Sequence, residues 1–299
     1  MRGVAILAGA VALGVVLGGC ASIGGTNAIH DGSSLAYGWH NRGRLVDGVK
    51  LPDKGDGYVV PATWAARGNL YGTEELVGLI VRAGRRLAVE QPDAPLFVAD
   101  LSPERGGRSK WHRSHQTGRD VDLILFALDD QGKPAAAPSQ MAAFAPDGRA
   151  RVVDGDGKPV MPERWVTFDV ERNWRVVRAL ASDPAADIQY LFLADHLRAR
   201  LIAHAISLGE PADLVAAADA LLRQPNDSAE HDDHLHVRIY CPVDDRSLGC
   251  RDAGPLRWWK KAYKYLPFER LAKLMKAPGP LSALGPFCGI MSGESLAAR

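Results

Sequence analysis

The sequence predicts an α+β fold, a single domain with a small central antiparallel sheet flanked by helices and long loops. Three observations lead there. Segments with apolar residues at helical spacing alternate irregularly with short apolar runs of strand length. No regular β-α-β succession runs through the chain, which sets aside a doubly wound parallel sheet. Long stretches rich in Gly, Pro and Asp separate the elements and read as loops.

Taken in order, residues 1–19 carry one early cation, Arg2, and then an apolar run over 4–17. That run is shorter than the roughly 20 residues a membrane-spanning helix needs and ends in small residues, so it predicts a signal peptide. It closes on Leu17-Gly18-Gly19-Cys20. This order resembles a bacterial lipobox and implies that Cys20 is acylated, with Ala21 after it implying passage to the outer membrane. The alternative is a plain secretory signal with an incidental cysteine; absence of a palmitate label on Cys20 would exclude the anchor. Residues 20–34 are Gly/Ser/Asn-rich and predict a flexible tether. The domain is expected over 35–254 and a basic, aromatic tail over 255–299.

Within the domain, Thr73-Glu74-Glu75 opens a helix. A capping hydroxyl and two acids in the first turn precede Leu76, Leu79, Ile80, Ala83 and Leu87 at helical spacing. Residues 96–100 form a short apolar strand. Residues 102–119 show no apolar period and read as a Gly/Arg/Ser/His loop entering a strand over 121–126. Residues 129–163 read as a surface excursion. Asp169 caps a helix carrying Val170, Trp174, Val177 and Ala181. A strand over 188–193, a helix over 195–206 and a strand over 234–240, ending at Cys241-Pro242, complete the order.

A net charge of +1 on 299 residues gives no reason to expect nucleic acid. Beyond Cys20 there are three cysteines, and Cys241 and Cys250 bracket a short Pro/Asp/Gly-containing loop. In an oxidising compartment they are expected to form a disulfide; a cysteine zinc site is disfavoured because no CxxC pair exists. Cys288 is left over.

The nine histidines are unevenly placed. His112 and His115 precede Asp122 in one loop-to-strand segment, and His231, His234 and His236 lie in another more than a hundred residues on. Residues two apart on a strand project from the same face, so His234 and His236 point together while Leu235 and Val237 turn to the core. Asp122 follows the same logic between Val121 and Leu123. Any one histidine alone reads as a surface or satisfied core residue. The joint pattern is costly to pack without a cation, and two His with one carboxylate form a common catalytic zinc set. Asp232 and Asp233 either orient these imidazoles or are solvated.

Ser114-His115-Gln116-Thr117-Gly118-Arg119-Asp120-Val121-Asp122, with His234-Leu235-His236-Val237-Arg238, resembles the signature of the lysostaphin, D-Ala-D-Ala carboxypeptidase and hedgehog metallopeptidase group. Within it the chain resembles the penicillin-insensitive murein endopeptidases, through the SHQTG string, Arg105-Gly106-Gly107 and His112-x-x-His115. The resemblance runs from about residue 51 to 250. It implies His115, Asp122 and His236 as Zn2+ ligands, His112 as a further one, His234 as catalytic base and His231 as a second active-site histidine. The additional cysteines of the family are only partly present, and no second metal site could be matched.

The implied reaction is hydrolysis of peptide crosslinks in peptidoglycan stem peptides by an enzyme of the periplasm, held at the outer membrane by its lipid. A regulatory protein partner is left open. Arg105 and Arg108 either bind substrate carboxylates or only shape the turn. No Ser-x-x-Lys or GxSxG motif offers an acylatable serine. The rivals are a D,D- or L,D-carboxypeptidase of the same group and a non-catalytic zinc-binding wall lipoprotein. The tail, with Trp258, Trp259, Lys260 and Lys261, either packs as an amphipathic helix or contacts lipid or wall polymer.

Overall fold

The computed structural model describes residues 32–254. The signal segment, Cys20, the tether as far as residue 31, Cys288 and the tail 255–299 lie outside the described residues. The described chain opens with an antiparallel hairpin, β1 (Leu35–Trp39) and β2 (Arg42–Val46), with Leu35 opposite Val46. The residues just before it are already pinned. The Glu74 carboxylate accepts the backbone N–H groups of Gly32, Ser33 and Ser34. Ser34 Oγ in turn accepts from Glu74 N.

Helix α1 (Glu74–Glu90) starts where its cap predicts, with Thr73 Oγ1 accepting from Leu76 N. After the long loop comes β3 (Asp120–Ile124). Helix α2 (Val170–Ala181) is capped by Asp169, whose side chain accepts from Arg172 N. Then follow β4 (Ile188–Phe192), α3 (Asp195–Ser207), α4 (Ala212–Leu221), β5 (Leu222–Arg223) and β6 (His234–Ile239). The described chain closes with α5 (Val243–Leu248) and β7 (Cys250–Arg251).

The central sheet has the order β5-β4-β6-β3. It is antiparallel except at the β4–β5 edge, which is parallel. Strand alternation divides its two faces. Val121, Leu123, Leu191, Leu235 and Val237 join Leu76, Leu79 and Ile80 of α1 and Trp174, Val177 and Leu180 of α2 in one continuous core. The opposite face keeps Asp120, Asp122, His236 and Arg238. A one-residue slip of β6 would exchange the two sets, so core burial itself fixes the register of the polar face.

Several features differ from the sequence reading, among them the parallel β4–β5 edge and the short elements α5 and β7. Helix α4 and the hairpin β1–β2 were not anticipated. Helix α4 is Ala-rich and β1–β2 is short with exposed positions, so neither carries a strong apolar period. The excursion over 129–163 is exposed over much of its length, but contrary to the surface reading it buries Phe144 and Ala150 in the core, and it contributes Arg149–Arg151 to a small antiparallel sheet with Trp165–Phe168 and Ala127–Leu128. Its Asp content belongs to tight turns. Asp129 Oδ1 accepts from Gln131 N and Lys133 N, and Asp154 Oδ1 from Asp156 N and Lys158 N. Among the described residues no helix is long and apolar enough to cross a membrane.

Candidate metal centre

The register of β6 against β3 places His236 opposite Asp122 and Arg238 opposite Asp120. On the other side of β6, Phe192 lies opposite His236 and Tyr190 opposite Arg238. The loop before β3 delivers the remaining groups. His115 has φ +60°, an uncommon conformation for a residue with a Cβ, and its ring is fully buried. Gly118, at φ +72°, lets the loop pass against helix α1, because a Cβ there would lie 2.9 Å from Thr73 N and 2.7 Å from Leu45 Cδ1.

Hydrogen bonding fixes which nitrogen of each ring is free. His115 Nδ1 is 3.0 Å from the Leu101 carbonyl, which only an N–H can approach favourably, so Nε2 carries the lone pair. That Nε2 lies 3.2 Å from Asp122 Oδ1. His236 donates from Nε2 to Asp120 Oδ1 at 2.8 Å, which leaves Nδ1 as the lone pair, 3.1 Å from the same Asp122 oxygen. Buried His115 Nε2 and Asp122 Oδ1 have no hydrogen-bond partner. Three acceptors thus converge on one point, an arrangement that repels unless a positive charge lies among them. The donor set fits a cation.

His112 stacks on His115 with ring centroids 4.2 Å apart. Its Nε2 is 2.8 Å from Asp100 Oδ2, and its Nδ1 turns towards Asp122 Oδ2 at 3.5 Å. His112, His115 and Asp122 form one group of ligand atoms within 4.8 Å of one another, and His231, His234 and His236 form a second. The structure therefore brings together all six residues that the sequence singled out. Arg105 and Arg108 are exposed on the loop, and their side chains make no ion pair with the site among the described residues.

Electrostatics separates the roles. Burial alone would raise the carboxyl of Asp122; protons on the rings of His115 and His234 would outweigh it and hold the carboxyl well below the ordinary carboxylate range, so this carboxylate draws positive charge, as protons or as a cation, to the point where the acceptors meet. Burial would likewise raise Asp120, and Arg238 and His236 hold it down. Burial acts to lower His234, yet the Asp122 and Asp233 carboxylates prevail and raise its ring to about 9. The hydrogen bond behind part of this is 2.5 Å, from His234 Nδ1 to Asp233 Oδ1. His231 is lowered to about 4 by burial and by the neighbouring rings of His234 and His236. It is therefore a neutral imidazole at neutral pH.

Sequence reasoning missed Asp120, Asp100 and Phe192. Asp120 is fully buried and accepts from both His236 Nε2 and Arg238 Nε at 2.8 Å and 2.5 Å. A signal existed, since Asp120-Val121-Asp122 has the same period-two spacing as His234-Leu235-His236. Asp100 holds His112 and is itself held by Arg67 at 2.7 Å. Of the two acids before His234, Asp233 orients a ring, whereas Asp232 contributes its backbone carbonyl to Phe144 N.

Such a site defines a class: an α+β domain whose central sheet presents a buried His/Asp set able to hold a metal ion. The profile of the penicillin-insensitive murein endopeptidase family matches residues 36–259, and the chain belongs to that family. A penicillin-insensitive murein endopeptidase of Salmonella paratyphi B is 29% identical over 222 residues, 74% of this chain and 71% of that protein. Those of Salmonella newport and Salmonella heidelberg are 29% identical over 222 and 223 residues, with the same shares covered.

Proposed function

We propose that this chain is a zinc-dependent murein endopeptidase that hydrolyses the D-alanyl–meso-diaminopimelyl crosslink of peptidoglycan and is insensitive to penicillin. The observation that carries the reading is the convergence of His115 Nε2, His236 Nδ1 and Asp122 Oδ1 with no proton donor among them. His115, Asp122 and His236 would hold the ion, with His112 Nδ1 as a further ligand. A zinc ion held there would supply Lewis-acid polarisation of the scissile carbonyl and would lower the pKa of a water to ~7.

The protein groups supply the remainder. His234 Nε2, 3.5 Å from Asp122 Oδ1, is the proton acceptor and later passes the proton to the leaving amine. Against burial, the Asp122 and Asp233 carboxylates raise its ring to about 9. Neutralising Asp122 removes a principal cause of that shift and returns the ring to a range suited to a base. Asp233 at Nδ1 keeps Nε2 turned towards the site. Neutral His231 takes part through a single N–H or lone pair. Asp120 orients His236, and Arg105 and Arg108 offer charge for substrate carboxylates. No acylatable serine is involved, which accounts for indifference to β-lactams. The same reading places the chain in the periplasm, held at the outer membrane through a lipid on Cys20.

The test is mass spectrometry of muropeptides released from sacculi by wild type, His234→Ala and chelator-treated protein. Wild type should remove crosslinked dimers and the other two should leave them intact. Loss of terminal alanine alone would assign a carboxypeptidase instead, and equal outcomes for all three would leave a binding protein.

A further inference from the structure

The cations of this protein are unevenly paired. Elsewhere among the described residues most arginines have a carboxylate beside them, as Arg82 has Asp183, Arg86 has Glu90, Arg178 has Glu90 and Arg198 has Asp219, and the cations without one, such as Arg164, Arg200 and Lys133, are scattered. On the loop that leads to His112 and His115, and on the hairpin strand it packs against, six cations have no carboxylate partner among the described residues: Arg42, Arg44, Arg105, Arg108, Lys110 and Arg113. All six are exposed. Against them stand Asp47 and Glu104, which line the same groove of about 740 Å³ as Arg44 and Arg105 and are also unpaired. The unit carries six positive and two negative charges, a net of +4, against +1 for the whole chain.

The two segments are stapled into one rigid surface. Leu45 N donates to the Arg105 carbonyl at 3.0 Å, and Gly107 N donates to the Gln116 carbonyl at 2.9 Å. Gln116 Nε2 donates to the Arg113 carbonyl, its Oε1 accepts from Gly43 N, and its own N–H donates to the His40 carbonyl. Gly106, at φ +63°, permits the contact, since a Cβ there would lie 2.2 Å from Gln116 O and 2.5 Å from Leu45 N. Gln116 follows His115 directly, so this surface is built onto the metal centre. At its inner end Trp111 is exposed beside His112, with Lys110 and Arg67 each 4.3 Å from its ring.

We infer that this loop-and-hairpin surface is an anion-binding subsite that grips the free carboxylates of the stem peptides flanking the scissile bond. The inference rests on the wall-peptide activity proposed above. Cations with no carboxylate beside them break no ion pair on binding, and a ligand with several carboxylates gains from the whole set at once. A stem peptide, with carboxylates on D-glutamate, diaminopimelate and terminal D-alanine, is such a ligand. Continuity with the metal centre favours it over an anionic membrane, which would demand no such alignment.

The test is titration calorimetry on the zinc-loaded full chain carrying His234→Ala, with a purified crosslinked muropeptide dimer and the same dimer with its carboxyl groups amidated. Adding Arg42→Gln, Arg44→Gln and Lys110→Gln should weaken binding of the native dimer about tenfold and flatten its salt dependence. Binding of the amidated dimer should not change between the two proteins. Equal losses on both dimers, no loss on either, or an effect confined to co-sedimentation with phosphatidylglycerol vesicles would overturn the subsite. Should the dimer bind as described yet survive intact with wild type, the proposed activity fails and the subsite stands. Should wild type cleave it while the triple substitution leaves binding unchanged, only the subsite fails.

Discussion

Asp120 decides which nitrogen His236 turns towards the candidate metal centre. It is fully buried between two positive partners, accepting from His236 Nε2 and from Arg238 Nε. Its charge holds His236 in the tautomer that leaves Nδ1 free, and it also compensates the buried Arg238. Asp120→Asn preserves the shape while removing the charge. Loss of such an orienting carboxylate is expected to weaken metal affinity by about 10–100-fold, measured by competition with a chromophoric chelator. Because Arg238 would be left uncompensated, the unfolding free energy should fall as well, by about 3 kcal/mol. An unchanged affinity would show that His236 is oriented by something else.

At the level of elements, the ends of the described chain close over one another near this site. Strand β7 pairs in parallel with β1, and Cys241 and Cys250 are joined in a disulfide that encloses α5. Ala36 of β1 packs against both cysteines. From the same corner, Asp252 Oδ1 accepts from Cys241 N and pairs with Arg119 Nη1 at 2.9 Å, and the Arg251 carbonyl accepts from Arg119 Nη2. Arg119 immediately precedes Asp120, so the disulfide loop braces the start of β3. With nine residues of separation, opening it by Cys241→Ala and Cys250→Ala should cost about 2–3 kcal/mol by the chain-entropy account. Denaturant unfolding of the double variant under oxidising conditions checks this, and a midpoint equal to wild type would rule out the bracing role.

For the whole molecule, the same corner gives a pH dependence. Asp245 Oδ2 accepts from Ala36 N at 2.8 Å. Burial, with Glu75 adding repulsion, raises its carboxyl from 3.8 to about 6 in spite of that hydrogen bond. Between those values the folded protein holds a proton that the unfolded chain releases. Its contribution to stability is therefore full below about 3.8 and declines as pH rises to about 6. Asp245→Asn keeps an acceptor for Ala36 and carries no charge. It should be more stable than wild type by about 1 kcal/mol at pH 8 and indistinguishable near pH 3, read from paired unfolding curves. An equal difference at both pH values would exclude the titration as its cause.

The candidate site was legible in the sequence to the extent that its groups lie on strands or within a short motif. Period-two spacing aligned His234 with His236 and placed Asp122 between core residues, and helical spacing with a capping Thr73 and a capping Asp169 located α1 and α2. These are local properties, carried by residues within a few positions of one another. What only the tertiary structure decided concerns distance through space. It set Asp120 against His236, Asp100 against His112, and the hairpin 35–46 against the loop before β3. Those pairings depend on strand register and loop packing between segments up to more than a hundred residues apart, for which no local pattern codes. The α+β class and the candidate ligand groups followed from side-chain chemistry and backbone periodicity. Which nitrogen of each histidine is free followed from hydrogen bonds that exist only once the chain has folded.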